Sequence, residues 1–396
     1  MLGPSVPLVF GRPTAGGPTK VGPYVYDRDV RVTIVGAGII GYAVAYELAA
    51  RGAEIRLIDP RGLGHGATRA SGGILAPHIE GHSQDLLRLG LCSLDHYDRF
   101  IARVAADAQS AIEYRRSGTL QVARTEAEAR ELDAAARGLA ERGAPHTLVD
   151  ASGVRRLEPS LAGDIRTALL VPVHGYVGVA TLMAALAAAS RRRGATLDLL
   201  PVERIESADA VRVHAGNERI ESDAVVLAAG SWSGGIPMAP AIAVPVRPVR
   251  GQVVQLRFDS PPLTRVVWGS ALGSATYLVP WTDGDVLVGA TSEDVGFDES
   301  VTTAAIARLR DAAAELLPAS RTARFLEARA GLRPATPDEL PIVGRSSTMR
   351  GVYYATGHYR NGVLLAPLTA SLVADLVLEG RERPELALMR PDRFGL

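Results

Sequence analysis

Residues 32–59, VTIVGAGIIGYAVAYELAARGAEIRLID, constrain the fold more than any other stretch. Residues 32–35 are a short β-branched apolar run, the pattern of a buried strand. Gly36, Gly38 and Gly41 follow at GxGxxG spacing, with Ile39 and Ile40 between the last two. Residues 42–51 are apolar and alanine-rich at helical spacing and stop at Gly52. A second strand over 55–58 delivers Asp59 at its carboxyl end. This is the dinucleotide-binding strand–helix–strand unit with every part in register. Gly36 permits the tight turn, Gly38 admits a pyrophosphate, and Gly41 lets the helix pack close to the strand. The helix N-terminus offers N–H groups to phosphate, and Asp59 offers an acceptor to a ribose hydroxyl. The fingerprint does not say which dinucleotide binds or what chemistry follows.

The chain has 396 residues, 47% of them apolar, enough for a large core or two domains. Basic and acidic residues balance at 43 each. That gives no support for nucleic acid or an anionic membrane as partner. Lys20 is the only lysine, so Schiff-base chemistry in the folded core is excluded. One cysteine, Cys92, excludes an internal disulfide and a cysteine zinc cluster and fits a reduced, cytoplasmic setting. Residues 1–29, rich in Pro and Gly, read as a flexible arm, and no later run reads as long and apolar enough to cross a bilayer.

Beyond Asp59, the glycine-rich stretch 62–78 reads as a loop that lets backbone approach a ligand. Its His65 and His78 read as loop polar groups rather than metal ligands. Helices are expected over 84–108, 126–142, 179–193, 302–317 and 362–378. A buried strand over 224–227 runs into Gly230, where a parallel sheet meets a ligand at its carboxyl edge. From the proline-rich stretch 237–248 the pattern changes to an antiparallel sheet, with strands over 251–258, 277–279 and 286–289 and a turn at 282–285. Residues 331–338 read as a loop stiffened by Pro and Gly. Gly230–Gly234 reads GSWSG, with Trp where a nucleophile-elbow serine would stand, which argues against a hydrolase. Arg333 and Arg360 sit in Gly- and Pro-framed segments, and spacing alone leaves them either carboxylate clamps or surface charges.

The motifs GAGIIG with Asp59, ATRASGGILAP (67–77), AAGSWS (228–233), YLVP (277–280), VGAT (288–291), AGLRPATPDELPIVG (330–344) and GHYRNGVLLAP (357–367) together carry a resemblance. Over residues 31–391 the chain resembles the amino-acid-oxidase branch of the D-amino-acid-oxidase-type flavoproteins. GHYRNG followed by LLAP is most similar to the glycine-oxidase group of bacterial thiazole (thiamine) biosynthesis. The resemblance implies an α/β fold: a Rossmann-like FAD-binding domain (30–85, 152–235 and 327–385) and a second α+β substrate domain (86–151 and 236–326) built on an antiparallel sheet, then a tail (386–396). It implies non-covalent FAD, since the lysine and cysteine used by sarcosine-oxidase relatives are missing. It places Gly36, Gly38, Ile39, Ile40, Gly41 and Asp59 on the ADP half of FAD and Val202 on the adenine side. Thr68, Gly73, Leu75, Gly230, Asn361, Gly362, Val363 and Leu364 are placed around the rest of the cofactor, with the helix at 362 aiming its positive end at the flavin.

Tyr277 and Arg333 would clamp a substrate carboxylate, with Arg360 nearby. No residue is expected to act as a catalytic base, because an uncharged amine drives hydride transfer to the flavin. The implied activity is oxidation of glycine, sarcosine or small D-amino acids to an imine or 2-oxo acid, ammonia and hydrogen peroxide, by a homotetramer. The alternatives are a D-amino-acid dehydrogenase that reduces a quinone and an amine oxidase of specialised metabolism. Ala275 and Trp281 depart from the family's pattern, which bears on substrate size.

Overall fold

In the computed structural model, which describes residues 30–80, 83–239 and 242–396, two sheets meet at a deep cleft. The proposed N-terminal arm lies outside the described residues. The first sheet has six strands in the order Ile342–Arg345, Val352–Thr356, Ala224–Leu227, Arg31–Val35, Glu54–Ile58 and Thr196–Asp198. All neighbours are parallel except the first pair. Period-two alternation buries both faces. Val32, Ile34, Ile55, Leu57 and Val226 face the helices Ile39–Ala50, Val179–Arg192, Gln84–Ala108 and Gly362–Ala374. Val35, Ile58, Val225 and Leu227 face a small sheet of Val202–Ser207, Val211–Ala215, Glu218–Ser222 and Met238–Ala239.

The second sheet has eight strands, in the order Arg324–Ala335, Arg247–Arg257, Asp285–Gly289, Ser274–Pro280, Val266–Ala271, Thr119–Ala123, Thr167–Val171 and Thr147–Asp150. Its neighbours are antiparallel save for Val266–Ala271 against Thr119–Ala123. One face packs Val254, Leu256, Leu278 and Val288 against Leu309, Ala313 and Leu316 of the Thr303–Leu316 helix. The opposite face presents Val253, Tyr277, Val279 and Leu287 toward Ala70 and Ile74 of the glycine-rich loop. That face roofs the cleft.

Three expectations are corrected. Residues 331–335 are not loop but the end of the twelve-residue strand Arg324–Ala335. Pro334 lies directly opposite Pro248 in the register. An opposed antiparallel pair exchanges both N–H bonds or neither, so two prolines sit without loss at a position of the second kind. Arg333 is therefore carried by a strand. Strands Val266–Ala271 and Glu218–Ser222 were not expected at all. Finally, Gly362–Glu379 is long and apolar enough to cross a membrane by length and composition, with mean hydropathy 1.7 over 18 residues. Its apolar surface goes instead into the core, where 72% of it is buried and it packs on Ile39–Ala50 and Gln84–Ala108.

Two buried histidines couple this fold to pH. His174 is fully buried, with Nε2 2.8 Å from His78 Nδ1 and Nδ1 2.7 Å from Thr119 Oγ1. Burial holds it well below the usual histidine range. Burial alone pushes His358 down to about 3. The unfolded chain binds protons at both positions near pH 6.5, whereas the folded chain does not. Their contribution to stability is therefore complete above about pH 6.5 and is lost as pH falls toward the folded values. Unfolding free energy should drop by ~1.4 kcal/mol per pH unit for each histidine between pH 6 and 4. Denaturant titrations at several pH values check this, and His358→Asn should remove about half of the slope these two groups give.

Candidate functional site

The cleft between the carboxyl edge of the six-stranded sheet and the roof holds a cavity of about 470 Å³. Its floor is the first strand–turn–helix. Gly36 has φ 112°, and a Cβ there would stand 2.3 Å from the carbonyl oxygen of Ala228. Only glycine fits. Gly38 precedes the Ile39–Ala50 helix, and the Ile39 N–H donates to Thr68 Oγ1 at 3.0 Å. Further N–H groups of that first turn have no partner within the helix and face the cavity end of the axis. Asp59 lies at the rim. One carboxylate oxygen accepts the Ala37 N–H at 2.9 Å and the other accepts the Arg61 N–H at 2.8 Å. Two backbone donors thus fix its orientation, and each oxygen keeps a lone pair for a hydroxyl.

A second helix end closes the far side. Gly362–Ala374 starts at the cavity, and Gly362 and Val363 line it. Its N-terminal dipole adds positive potential there. His358, just before it, bonds Thr369 Oγ1 at 3.0 Å and stays uncharged because it is buried. Ser231 and Ser233, which flank Trp232, are bonded internally, to the Leu332 carbonyl at 2.8 Å and Thr356 Oγ1 at 2.7 Å.

The roof supplies polar groups of another kind. Arg333 Nη1 donates to the Thr291 carbonyl at 3.1 Å and the Arg250 carbonyl at 3.4 Å. Its Nε and Nη2 have no protein partner among the described residues. The guanidinium lies where a Cβ on Gly251 would come within 2.2 Å of it. Tyr277 is set the same way, its ring over Gly289, whose Cβ would meet Tyr277 Cζ at 2.2 Å. Trp268 packs beside Tyr277 with ring centroids 5.1 Å apart. Arg360 lies in the Tyr359 loop, its Nη2 3.3 Å from the Tyr359 hydroxyl. The Tyr359 N–H donates to the Pro334 carbonyl at 2.9 Å, which ties that loop to the end of the Arg333 strand.

Gly251 yields a direct test. The atom it would strike is the far end of a flexible side chain, so Gly251→Ala should unfold at nearly the same denaturant concentration. The guanidinium must still move by about an ångström, and misplacement on that scale costs ~10²-fold in rate. Steady-state kinetics should show that loss with cofactor content unchanged.

Of the residues named from sequence, Gly36, Gly38, Ile39, Ile40, Asp59, Thr68, Gly73, Val202, Gly230, Gly362 and Val363 line this one cavity, as do Tyr277, Arg333 and Arg360. Four do not. Gly41 sits under the helix, where a Cβ would stand 1.9 Å from the Gly36 carbonyl oxygen, so it serves packing. Leu75 is fully buried in a strand paired with Gly175. Leu364 points into the helix core. Asn361 is buried beneath the loop, its N–H donating to the His358 carbonyl at 2.9 Å. Of the two departures, Ala275 lines the cavity. Trp281 does not, and its ring lies 5.8 Å under Arg329.

Sequence reading missed the aromatic walls. Trp268 lies on an unexpected strand. Trp232 carries Arg61 over its ring at 4.0 Å, and Arg61 also pairs with Glu299 at 2.5 Å. Only the VVW run at 266–268 gave a local signal. The Arg61–Trp232 stack joins residues 171 positions apart and left none.

The model of the DAO family, FAD dependent oxidoreductases, matches residues 31–376. Glycine oxidase of Geobacillus kaustophilus is 32% identical over 362 residues, covering 90% of this chain and 94% of that protein. Its crystal structure superposes with a TM-score of 0.85 at 32% identity, covering 91% of this chain and 98% of that one. The bifunctional protein ThiO/ThiG of Nostoc is 33% identical over 365 residues, 90% of this chain but 54% of that longer protein. The glycine oxidase structure from Bacillus cereus superposes with a TM-score of 0.83 at 27% identity, covering 91% and 98%.

Proposed function

The chain belongs to the DAO family of FAD dependent oxidoreductases, and within that family we propose that it oxidises glycine and similarly small amino acids with oxygen as the electron acceptor. The observation that carries this reading is the pairing of a dinucleotide cradle with an arginine–tyrosine face in one cavity. The similarity to glycine oxidases along nearly the whole chain narrows the substrate class. The ThiO portion of the Nostoc protein supports a place in thiamine biosynthesis.

The residues present fit FAD. The Gly36 cradle leaves no room for a side chain, two helix N-termini face the cavity, and Asp59 is oriented at its rim. Among the cavity residues, Val202 would touch the adenine side, Thr68 and Gly73 would approach the flavin from the glycine-rich loop, Gly362 and Val363 would meet the isoalloxazine edge, and Gly230 would also contact the cofactor. When bound, FAD supplies the hydride acceptor and, through oxygen, the route to hydrogen peroxide. The six-stranded sheet would carry the cofactor and the eight-stranded sheet the substrate. No cysteine lies in the Arg324–Ala335 strand, which supports non-covalent attachment. A homotetramer in a reducing cytoplasm completes the reading, and sedimentation of the purified protein tests the assembly.

Arg333 presents a planar fork to the substrate carboxylate, with the Tyr277 hydroxyl as a second donor. Held in this way, the substrate would keep one orientation in the cavity, which converts encounter into a positioned reaction. Among the described wall residues the only carboxylate is Asp59, at the opposite end. His358, held neutral with a pKa of about 3, is too weak a base to take a proton at working pH. The wall thus binds and orients, while the uncharged substrate amine supplies the electron pair that expels the hydride. A peroxidase-coupled screen with glycine, sarcosine, D-alanine and D-proline tests the proposal on the yellow holoprotein. Peroxide from glycine is expected, whereas dye or quinone reduction without peroxide would make it a dehydrogenase.

A further inference from the structure

Pro367 interrupts the helix that starts at the cavity. It lies inside Gly362–Ala374 and has no N–H, so the Val363 carbonyl four residues earlier loses its partner within the helix. The proline ring also crowds that carbonyl, which loosens the first turn from the rest of the helix. Gly362 and Val363, which line the cavity, belong to that turn. The missing bond is made from outside. Tyr97, fully buried on the Gln84–Ala108 helix, donates its hydroxyl to the Val363 carbonyl at 2.6 Å. Ser93, also fully buried, donates to the Leu364 carbonyl at 2.6 Å and accepts the Leu368 N–H at 3.4 Å, so it bridges the next rung. Gly90 completes the row. A Cβ there would stand 3.3 Å from Leu364 Cδ2 and 2.9 Å from Pro77 Cβ, so its absence lets the two helices close up. Gly90, Ser93 and Tyr97 stand at i, i+3 and i+7, on one face of one helix. None of the three lines the cavity.

We infer that Tyr97 and Ser93 are positioning residues of the oxidation: they hold the first turn of the Gly362–Ala374 helix, aim its positive end at the flavin and so set how readily the flavin accepts electrons. The inference rests on the reading above that this helix end meets the flavin half of FAD. Accepting a hydride puts negative charge on the ring. A helix end directed at the ring stabilises that charge, and does so best when its N–H groups are already fixed in place. Without the Tyr97 hydroxyl, the Val363 carbonyl is left buried and unpaired, a state costly enough that the turn carrying it re-orients. Tyr97 and Ser93 thus act through the helix and touch neither substrate nor cofactor.

Tyr97→Phe keeps the ring, its stack on Tyr114 with centroids 6.0 Å apart and its edge contact with Phe100 at 6.3 Å, and removes only the hydroxyl. Two readouts on the FAD-loaded enzyme report the flavin itself: its midpoint potential, and the Kd of sulfite, which bleaches an electron-poor flavin. Sulfite should bind about three- to tenfold more weakly in Tyr97→Phe. The potential should fall by about 15–30 mV, the same factor for a two-electron couple. Ser93→Ala should shift both in the same direction. Tyr46→Phe is the control for stability alone. It removes the hydroxyl of another fully buried tyrosine, bonded to Asp107 at 2.7 Å, and should lower the unfolding midpoint while leaving potential and sulfite Kd unchanged. Pro367→Ala restores an N–H for the Val363 carbonyl, so in that background Tyr97→Phe should change sulfite binding less than about twofold. Unchanged potential and sulfite Kd in both Tyr97→Phe and Ser93→Ala overturn the inference. So does an equal effect of Tyr97→Phe with and without Pro367, which would cut the link to the freed carbonyl. Gly362→Asp separates this inference from the reading beneath it. A Cβ at Gly362 has room, its nearest neighbours standing 3.8 and 3.9 Å away, and a carboxylate there opposes the positive helix end. If Gly362→Asp leaves sulfite binding intact, the helix does not face the flavin and that reading falls. If it weakens sulfite binding while Tyr97→Phe and Ser93→Ala do not, this inference alone falls.

Discussion

Gly36→Val should yield a colourless protein. The new side chain meets two penalties at once. The backbone at this position has φ 112°, a region that costs a residue with a Cβ ~1–2 kcal/mol. The Cβ would also sit 2.3 Å from the Ala228 oxygen and 2.7 Å from its carbonyl carbon. Those are backbone atoms of the loop after the Ala224–Leu227 strand, whose neighbour is the Arg31–Val35 strand itself, so neither can retreat without breaking the parallel ladder. Overpacking of that kind adds ~1–3 kcal/mol. The turn must swing away, and with it goes the line of N–H groups that the helix end offers to a pyrophosphate. The combined cost of ~2–5 kcal/mol corresponds to a loss of FAD affinity of about thirtyfold to several thousandfold. The ratio of flavin to protein absorbance after gel filtration measures it. Full flavin content in Gly36→Val would remove this turn from the cofactor site. Gly41→Ala is the informative partner. Its Cβ would overlap the Gly36 oxygen at 1.9 Å, so it should lose flavin too, although Gly41 does not line the cavity.

This contrast marks what the sequence could and could not disclose. The cradle was legible because it is local: strand, turn, helix and acid lie within 28 residues, and each follows from a short-range rule. The long helices were legible for the same reason, and Gln84–Ala108 has the expected bounds. The strand of Arg333 was not. Residues 324–330 read RFLEARA, with charged and apolar side chains mixed without a regular period, and the prolines that follow argue for a loop until Pro248 is known to lie opposite Pro334. Motif membership and cavity lining also differ. Leu75, Asn361 and Leu364 lie in the named segments but are buried and do not line the cavity, because alternate strand residues and successive helix residues cannot all face one way. Trp232 and Arg61 show the opposite failure. Their stack depends on two distant loops meeting, which no local pattern encodes.

Arg333→Leu should separate substrate binding from cofactor binding. The side chain lies on the roof, and among the described residues it bonds to the Thr291 and Arg250 carbonyls. Leucine fills similar volume, the strand keeps its ladder to Arg247–Arg257, and neither change reaches the nucleotide cradle. Flavin content and unfolding midpoint should therefore stay close to those of the unsubstituted protein. The effect on glycine is different in kind. The substrate carboxylate would enter a partly desolvated site without its bidentate partner, and losing a charged hydrogen-bonding partner costs ~2–5 kcal/mol. That predicts KM for glycine raised by about thirtyfold to a few thousandfold, with Arg333→Lys intermediate because a point charge cannot reproduce the fork. Because Arg333 acts on the ground state and the transition state alike, kcat at saturation should fall much less than kcat/KM. A near-normal KM for glycine in Arg333→Leu would move the clamp elsewhere, and Arg360, the other guanidinium that lines this cavity near Arg333, is the group to which it would have to move.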